Sequence, residues 1–276
     1  PAELIYDEFE NILFKGSSLG HNILGTAEQV RSFTTEDALR FTRKLYRPDN
    51  AIFFAYGDID FKKLVKLVGR ALADDDSGKL AEEDCHADFS GGTGFAGDEN
   101  SITTEKSVSS VKSVGPKNYP SVGEEIAGQT IVMQKNTHQA HVMIGTRAYY
   151  VNDDRRMPLY LLNNILGGPG MNAKLNLALR EHNGLVYTVE STMVAYGDTG
   201  TWSIYFGCDE HDIKRCLRLV RKELDRMMEK PLSDSQLKAA KKQIKGQIGV
   251  ACDNRENFAL DFGKSFLHYG WEKNVD

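Results

Sequence analysis

The sequence lacks several features that would reveal a function directly. It has no run of about eighteen apolar residues, which excludes a transmembrane helix. The complete phosphate-loop motif, GxxxxGK followed by serine or threonine, does not occur. Basic residues are not in excess, because 34 lysines and arginines face 39 aspartates and glutamates, for a net charge of −5. A nucleic-acid-binding protein would show a basic face, so this function is not expected.

The usual metal-binding patterns of cysteine and histidine are also absent. No CxxC, HExxH or HxxEH motif occurs among the four cysteines and seven histidines. His138 and His141 lie three apart at the start of a predicted strand, where residues at that spacing point to opposite faces. Free thiols are expected, which favours a reducing compartment such as the cytoplasm; a Cys208–Cys216 disulfide is the alternative. The sequence therefore predicts no complete metal site.

The residues that are present describe a globular chain. With 41% hydrophobic and 26% charged residues, the 276-residue chain is not disordered as a whole. Its length predicts one large or two medium domains, with a core that needs no metal or disulfide. The first residue, Pro1, stands inside an amphipathic pattern that includes Leu4, Ile5 and Phe9. We interpret the sequence as a piece of a longer chain.

Hydropathy and turn residues predict both helices and strands. Helices are expected over 1–14, 34–46, 61–72, 158–165, 172–182, 210–229 and 233–267, with caps at Thr34 and Ser233 and a bend at Gly246 or Gly249. Strands are expected over 51–56, 130–134, 141–149, 187–195 and 201–208, the last two joined as a hairpin. Residues 74–128 show little hydrophobic period and are interpreted as a linker. The pattern favours an α+β fold in which an antiparallel or mixed sheet packs against helices.

Two groups of motifs in this sequence resemble one family. The first comprises residues 19–26 (LGHNILGT), 31–37 (RSFTTED) and 46–50 (YRPDN), followed by an apolar segment that ends at Gly57 and Asp58. The second comprises residues 166–172 (LGGPGMN) and 179–187 (LREHNGLVY). Together they resemble the insulinase/pitrilysin (M16) family of zinc metallopeptidases, which includes the mitochondrial processing peptidases. The resemblance covers nearly all of the chain except the linker.

The resemblance implies a fold, a cofactor and partners. The fold would be M16 peptidase-like (LuxS/MPP-like), with repeated α+β domains that close around an unfolded peptide. Residues 1–74 would be the C-terminal half of a first domain, 75–128 the linker, and 129–276 the N-terminal part of a second domain. The full-length parent would hold Zn²⁺ through an HxxEH helix and a later glutamate, so this piece alone is expected to bind none and to be inactive. The implied partners are a peptide or unfolded polypeptide substrate and a second M16 domain or subunit.

The resemblance also assigns two residues, Arg180 and Tyr187, to the active cleft as catalytic and substrate-binding groups. The arginine would hold a peptide carbonyl with its donor fork. The tyrosine hydroxyl would donate a hydrogen bond to the oxyanion formed when zinc-bound hydroxide attacks the amide. Without the resemblance, the favoured interpretation is that Arg180 is a cation at a helix C-terminus and Tyr187 a strand aromatic.

Three functions are compatible with these observations. The leading one is a fragment of a zinc metalloendopeptidase that supplies the Arg180–Tyr187 pair. The second is a non-catalytic partner subunit that grips substrate or has a structural role, and the third is a binding domain whose resemblance is only architectural. The glycines at 167, 168 and 170 are interpreted as a helix end and turn rather than as a substrate-contacting loop.

Overall fold

The computed structural model describes residues 3–47, 50–55, 57–73, 128, 130–135 and 137–270. They divide into two compact units, each drawn from two stretches of chain. The first unit contains the described residues up to Thr26 and those from Gly128 to Gly246; the second contains those of 27–73 and 247–270. The division into 1–74, 75–128 and 129–276 stays a prediction, and nearly all of the proposed linker lies outside the described residues.

Most of the described α-helices correspond to predicted ones, although the one over Ala27–Ser32 was not predicted. They are α1 (Leu4–Leu13), α2 (Ala27–Ser32), α3 (Thr35–Leu45), α4 (Phe61–Ala73), α5 (Arg156–Gly167), α6 (Ile213–Glu229), α7 (Asp234–Asp253) and α8 (Arg255–Tyr269). The predicted cap at Thr34 is confirmed, because its Oγ1 accepts the Asp37 N–H at 3.2 Å while the Asp37 carboxylate accepts the Thr34 N–H. Ser233 forms the corresponding box with Gln236, whose Oε1 accepts the Ser233 N–H at 3.0 Å. None of the described helices is long and apolar enough to span a membrane.

A three-stranded antiparallel sheet forms the centre of the first unit. Its strands are β1 (Ala140–Ala148), β2 (Val186–Ala195) and β3 (Gly200–Cys208), in the order β1-β3-β2. The alternating β-branched and aromatic residues of these stretches predict strands, and the polar loop between β2 and β3 predicts their hairpin. Both predictions are confirmed, and so is the α+β fold class.

Helices α5 and α6 cover one face of this sheet. Their buried side chains meet those of β3 in one apolar cluster, which includes Leu166, Ile204, Phe206 and Val220. A π-helical segment, Asn176–Glu181, adds the fully buried Leu179 to the same cluster. Full burial of such a side chain contributes roughly 1.5–3 kcal/mol relative to exposure, so this cluster fixes the helices on the sheet.

Helix α1 packs on the opposite face of the sheet. Because Ile204 and Phe206 point into the core, Tyr205 between them points to the other side, where its ring lies 5.4 Å from that of Tyr6. The ring of Phe9 comes so close to β1 that a Cβ atom at Gly145 would lie 2.7 Å from it. Glycine at this position therefore lets α1 approach the strand.

Two predicted strands are wrong. Residues 51–55 and 130–134 belong to no strand or helix, and Phe53 is 66% exposed. An apolar run forms a strand only where a neighbouring strand pairs with it, and the described residues provide no such neighbour for either segment. Residue 56, at the end of the first run, lies outside the described residues.

Two predicted helices differ from the expected ones. The helix expected over 172–182 is shorter and mainly π-helical. The helix expected over 233–267 is broken between α7 and α8, and the break falls at Asn254 rather than at Gly246 or Gly249. The Asn254 side chain accepts the Asn257 N–H at 3.2 Å, so this residue starts a new helix as its N-cap.

The second unit is held by aromatic contacts between its two stretches of chain. Phe54 lies 6.5 Å from Phe258 and 5.7 Å from Phe262 of α8, measured between ring centroids. The spacing of four residues puts Phe258 and Phe262 on one side of the helix. The apolar run around Phe54 thus contributes to packing although it forms no strand.

Candidate functional site

Arg180 lies in the π-helical segment Asn176–Glu181. The widened turn is visible in the bond from the His182 N–H to the Leu177 carbonyl, which spans five residues at 3.0 Å. The Arg180 side chain is 51% exposed and its Nε lies 4.0 Å from a carboxylate oxygen of Glu181. π-Helical turns recur at functional sites, and this one presents a cation to solvent beside the sheet.

A tight turn links Arg180 to the start of β2. The Gly184 N–H donates to the Arg180 carbonyl at 2.8 Å, and the Leu185 N–H donates to the Leu179 carbonyl at 2.9 Å. Gly184 adopts a φ of 60°, a left-handed conformation that side chains disfavour. Leu179 and Leu185 are both buried and anchor the two sides of the turn.

Tyr187 occupies an irregular position in β2. Val186 pairs with Cys208 and Thr188 pairs with Gly207, so Tyr187 is an extra residue in the ladder, a β-bulge. Its side chain is 60% exposed. Bulges redirect side chains and recur beside active sites. The backbone thus departs from regular geometry at both predicted site residues, in a π-helical turn at Arg180 and a β-bulge at Tyr187.

The sequence prediction of this pair is thus compatible with where the residues lie. Arg180 and Tyr187 are on the two sides of one turn, and both side chains are accessible. A guanidinium fork and a phenol hydroxyl are both hydrogen-bond donors, which suits them to binding a carbonyl or carboxylate oxygen. Nothing in the described contacts assigns either residue a purely structural role.

The glycine run after α5 serves the backbone. Gly168 is the C-cap of α5, and its N–H donates to the Asn164 carbonyl at 3.1 Å. A Cβ at Gly167 would lie 2.6 Å from the backbone nitrogen of Ser191, so glycine is needed for α5 to contact β2. These contacts agree with the interpretation of the run as a helix end and turn.

A polar network on the α1 side of the sheet escaped the sequence analysis. The Tyr6 hydroxyl donates to Glu190, and His141 Nδ1 lies 2.8 Å from the Tyr205 hydroxyl. Burial, followed by the hydrogen bond to Glu190, raises the pKa of Tyr6. Burial and then the negative charge of Glu190 raise the pKa of Tyr205. The partners lie 64 or more residues apart in the chain, so no local motif signals them.

The residues that the structure describes do not fit a hydrolytic zinc site. The His141 ring already bonds Tyr205 through Nδ1, and His138 precedes β1. Within the described ranges, the one group of three ligand-type side chains is Asp209, His211 and Asp212, in a short 3₁₀ turn. A zinc peptidase site uses two histidines on one helix face, which this exposed turn does not provide.

An apolar groove lies on the other side of the sheet from the polar network. It runs between α5 and α6, has a volume of about 520 Å³ and is lined by Leu159, Leu166, Trp202 and Met227 among others. Neither Arg180 nor Tyr187 lines it. The groove is therefore separate from the predicted site.

Solved structures share this fold. A protease from Helicobacter pylori aligns with a TM-score of 0.70 and 17% identity, over 97% of this chain and 57% of that chain. A chain of complex III2 from Candida albicans aligns with a TM-score of 0.69 and 19% identity, over 100% of this chain and 58% of that chain. At these identities the alignments show the fold alone, a class of α+β domain that also occurs in that protease and in complex III2.

The family follows from the sequence matches. The model described as "Peptidase M16 inactive domain" matches residues 32–244, and the chain belongs to the M16 peptidase family. It is 28% identical over 279 aligned positions to an uncharacterized zinc protease of Streptomyces coelicolor, covering 100% of this chain and 54% of that protein. A zinc protease of Bacillus subtilis is 24% identical, with 100% and 58% covered. The chain thus spans about half the length of the curated relatives it matches.

Proposed function

We propose that this chain is part of a zinc-dependent metalloendopeptidase and that Arg180 and Tyr187 contact its peptide substrate. Membership of the M16 family and the zinc-protease relatives support the activity. The observation that carries the site is the placement of two exposed polar side chains on one turn, between a π-helical segment and a β-bulge. Both irregular elements are costly to keep without a functional use.

The two side chains would act on different parts of the substrate. The planar guanidinium fork of Arg180 orients a peptide carbonyl. Tyr187 donates its hydroxyl proton to the carbonyl oxygen, where negative charge develops as the amide is attacked. The substrate class is an extended or unfolded polypeptide, because these groups recognise backbone rather than a particular side chain.

The proposal places the metal outside this chain. None of the donor groups described above fits zinc, so the ligands would come from another part of the parent protein. This chain would then be inactive alone and would act together with a second M16 domain or subunit. Its own contribution would be to bind and orient the peptide.

The test measures cleavage of a quenched fluorescent peptide by the full-length protein. Arg180→Ala and Tyr187→Phe are each expected to lower kcat/KM by about a hundredfold, the usual cost of one oxyanion donor. Zinc content and Tm should not change, because neither residue is in the core. Tyr160→Phe, an exposed tyrosine of α5, is the matched control and should leave activity intact. Full activity in both site variants would refute the role of the pair.

A non-catalytic partner subunit is the second candidate. The matching family model is described as an inactive domain, and a chain of complex III2 has the same fold. Zinc content and chelator-sensitive cleavage of the same peptide distinguish the two candidates. A full-length protein that binds no zinc and cleaves no peptide, yet binds unfolded polypeptide, would support this second function.

A further inference from the structure

His141 is fixed in one orientation on the sheet face that α1 covers in part. Its Nδ1 lies 2.8 Å from the Tyr205 hydroxyl, and the two rings are nearly parallel, at 11° and 6.1 Å between centroids. Gly207, next to both, has no side chain; a Cβ there would lie 3.7 Å from the Tyr205 hydroxyl and 4.0 Å from His141 Nδ1. Because Tyr205 engages Nδ1, the nitrogen that can meet a ligand is Nε2.

The sheet register places His141 in the same cross-strand row as Thr188, the residue after the predicted site residue Tyr187. His141 pairs with Gly207, and Gly207 pairs with Thr188, the residue after Tyr187. Paired residues share a face. Gly207, in the middle of this row, is itself buried, and the Tyr205 hydroxyl and the His141 ring lie beside it. Two strand spacings separate the outer strands, which puts the His141 and Thr188 backbones about 10 Å apart. An extended peptide covers that distance with about three residues.

Helix α1 borders this row on one side. In the next row along the strands, Tyr205 pairs with Glu190. Both contact Tyr6 of α1, Tyr205 through its ring and Glu190 through a hydrogen bond. The neighbouring row is therefore in contact with α1.

We propose that His141 is a second peptide-binding residue, and that its Nε2 donates a hydrogen bond to a backbone carbonyl about three residues from the position held by Tyr187. This inference rests on the proposed peptide-binding function of Arg180 and Tyr187. The proposal uses the tautomer in which Nδ1 accepts the Tyr205 hydroxyl proton and Nε2 carries the ring proton. Tyr205 is then a positioning residue that holds the His141 ring in this orientation.

The experiment compares two quenched peptides with the same scissile bond, cleaved by the full-length protein. The long peptide extends four residues on each side of the bond and the short one extends a single residue. His141→Ala is expected to raise KM for the long peptide about threefold to tenfold, the value of one net hydrogen bond. It should leave the short peptide unchanged, because that peptide does not reach His141.

Two further variants separate binding from a structural role. His141→Gln should restore much of the affinity for the long peptide, because the glutamine amide reaches the position of Nε2. Tyr205→Phe should raise KM less than His141→Ala does, because the His141 ring remains and loses only its hydrogen bond to the Tyr205 hydroxyl. Equal losses on both peptides, or no rescue by glutamine, would overturn the role of His141.

The two proposals fail in different ways. If Arg180→Ala and Tyr187→Phe slow neither peptide, the proposed site is wrong, whatever His141→Ala does. If those variants slow both peptides while His141→Ala changes neither, only the second contact is wrong. Direct binding of the fluorescein-labelled long peptide, followed by anisotropy, tests His141 even if no cleavage occurs; an unchanged Kd in His141→Ala would refute the inference.

Discussion

Asn163 of α5 joins the helix layer to the sheet through three hydrogen bonds. Its Nδ2 donates to the Ser191 carbonyl at 2.9 Å, and its Oδ1 accepts from the Ser191 hydroxyl at 2.5 Å and from the Trp202 indole N–H at 3.1 Å. Asn163 and Ser191 are both buried. Replacing Asn163 with alanine removes the partner of all three groups at once.

The cost of Asn163→Ala follows from what is left unpaired. A buried polar group without a partner costs about 1–3 kcal/mol. The carbonyl and hydroxyl of Ser191 lie in the interior, whereas Trp202 lines the apolar groove, where water can replace its partner. Two buried groups left without partners predict a loss of about 2–6 kcal/mol. In Tm this corresponds to a fall of roughly 4–24 °C for a unit of this size.

Urea denaturation followed by far-UV circular dichroism measures this loss. Asn22→Ala is the control, because Asn22 is exposed and its side chain accepts the nearby Leu24 N–H, so its removal should cost less than about 0.5 kcal/mol. Ser191→Ala combined with Asn163→Ala should cost less than the sum of the two single changes, since each removes a partner of the other. A loss below about 1 kcal/mol in Asn163→Ala, or strict additivity, would refute the reasoning.

Further predictions concern close packing and pH. Gly167→Ala should destabilise by about 1–3 kcal/mol, because its Cβ would meet the Ser191 backbone. Gly246→Ala in α7 has open space around it and should stabilise by up to about 1 kcal/mol. Equal effects of the two substitutions in urea denaturation would contradict this. Burial, together with the hydrogen bond to Glu10, raises the pKa of Tyr196 above its ordinary value of 10.0 in the folded state. The stabilisation is therefore complete below that pH and is lost as pH rises above it, so Tyr196→Phe should flatten the fall of Tm above about pH 10, and an unchanged slope would count against it.

Local signals accounted for much of the fold. The capping boxes at Thr34 and Ser233 lie within four residues of chain and were readable directly. The hairpin of β2 and β3 was predictable for the same reason, since its polar loop stands between two strand-like stretches. Residues 51–55 have the same local character, yet form no strand, because pairing depends on a neighbour that sequence pattern does not reveal.

Local sequence pattern also failed to reveal the backbone geometry of the predicted site. The spacing of Arg180 and Tyr187 was available from the family resemblance, but not the π-helical turn and the β-bulge that carry them. Each of these irregularities depends on one residue more than a regular element would hold, which propensity does not register. The contact of His141 with Tyr205 joins two different strands, so it required the sheet register.

The packing of α1 on the sheet has a consequence for synthesis of the chain on the ribosome. Tyr6 and Glu190 are 184 residues apart, so the helix emerges long before the strand that it contacts. At 5–20 residues per second, α1 waits roughly 10–40 s with its apolar face uncovered. The docking of α1 on one face of the sheet is therefore a late step of folding.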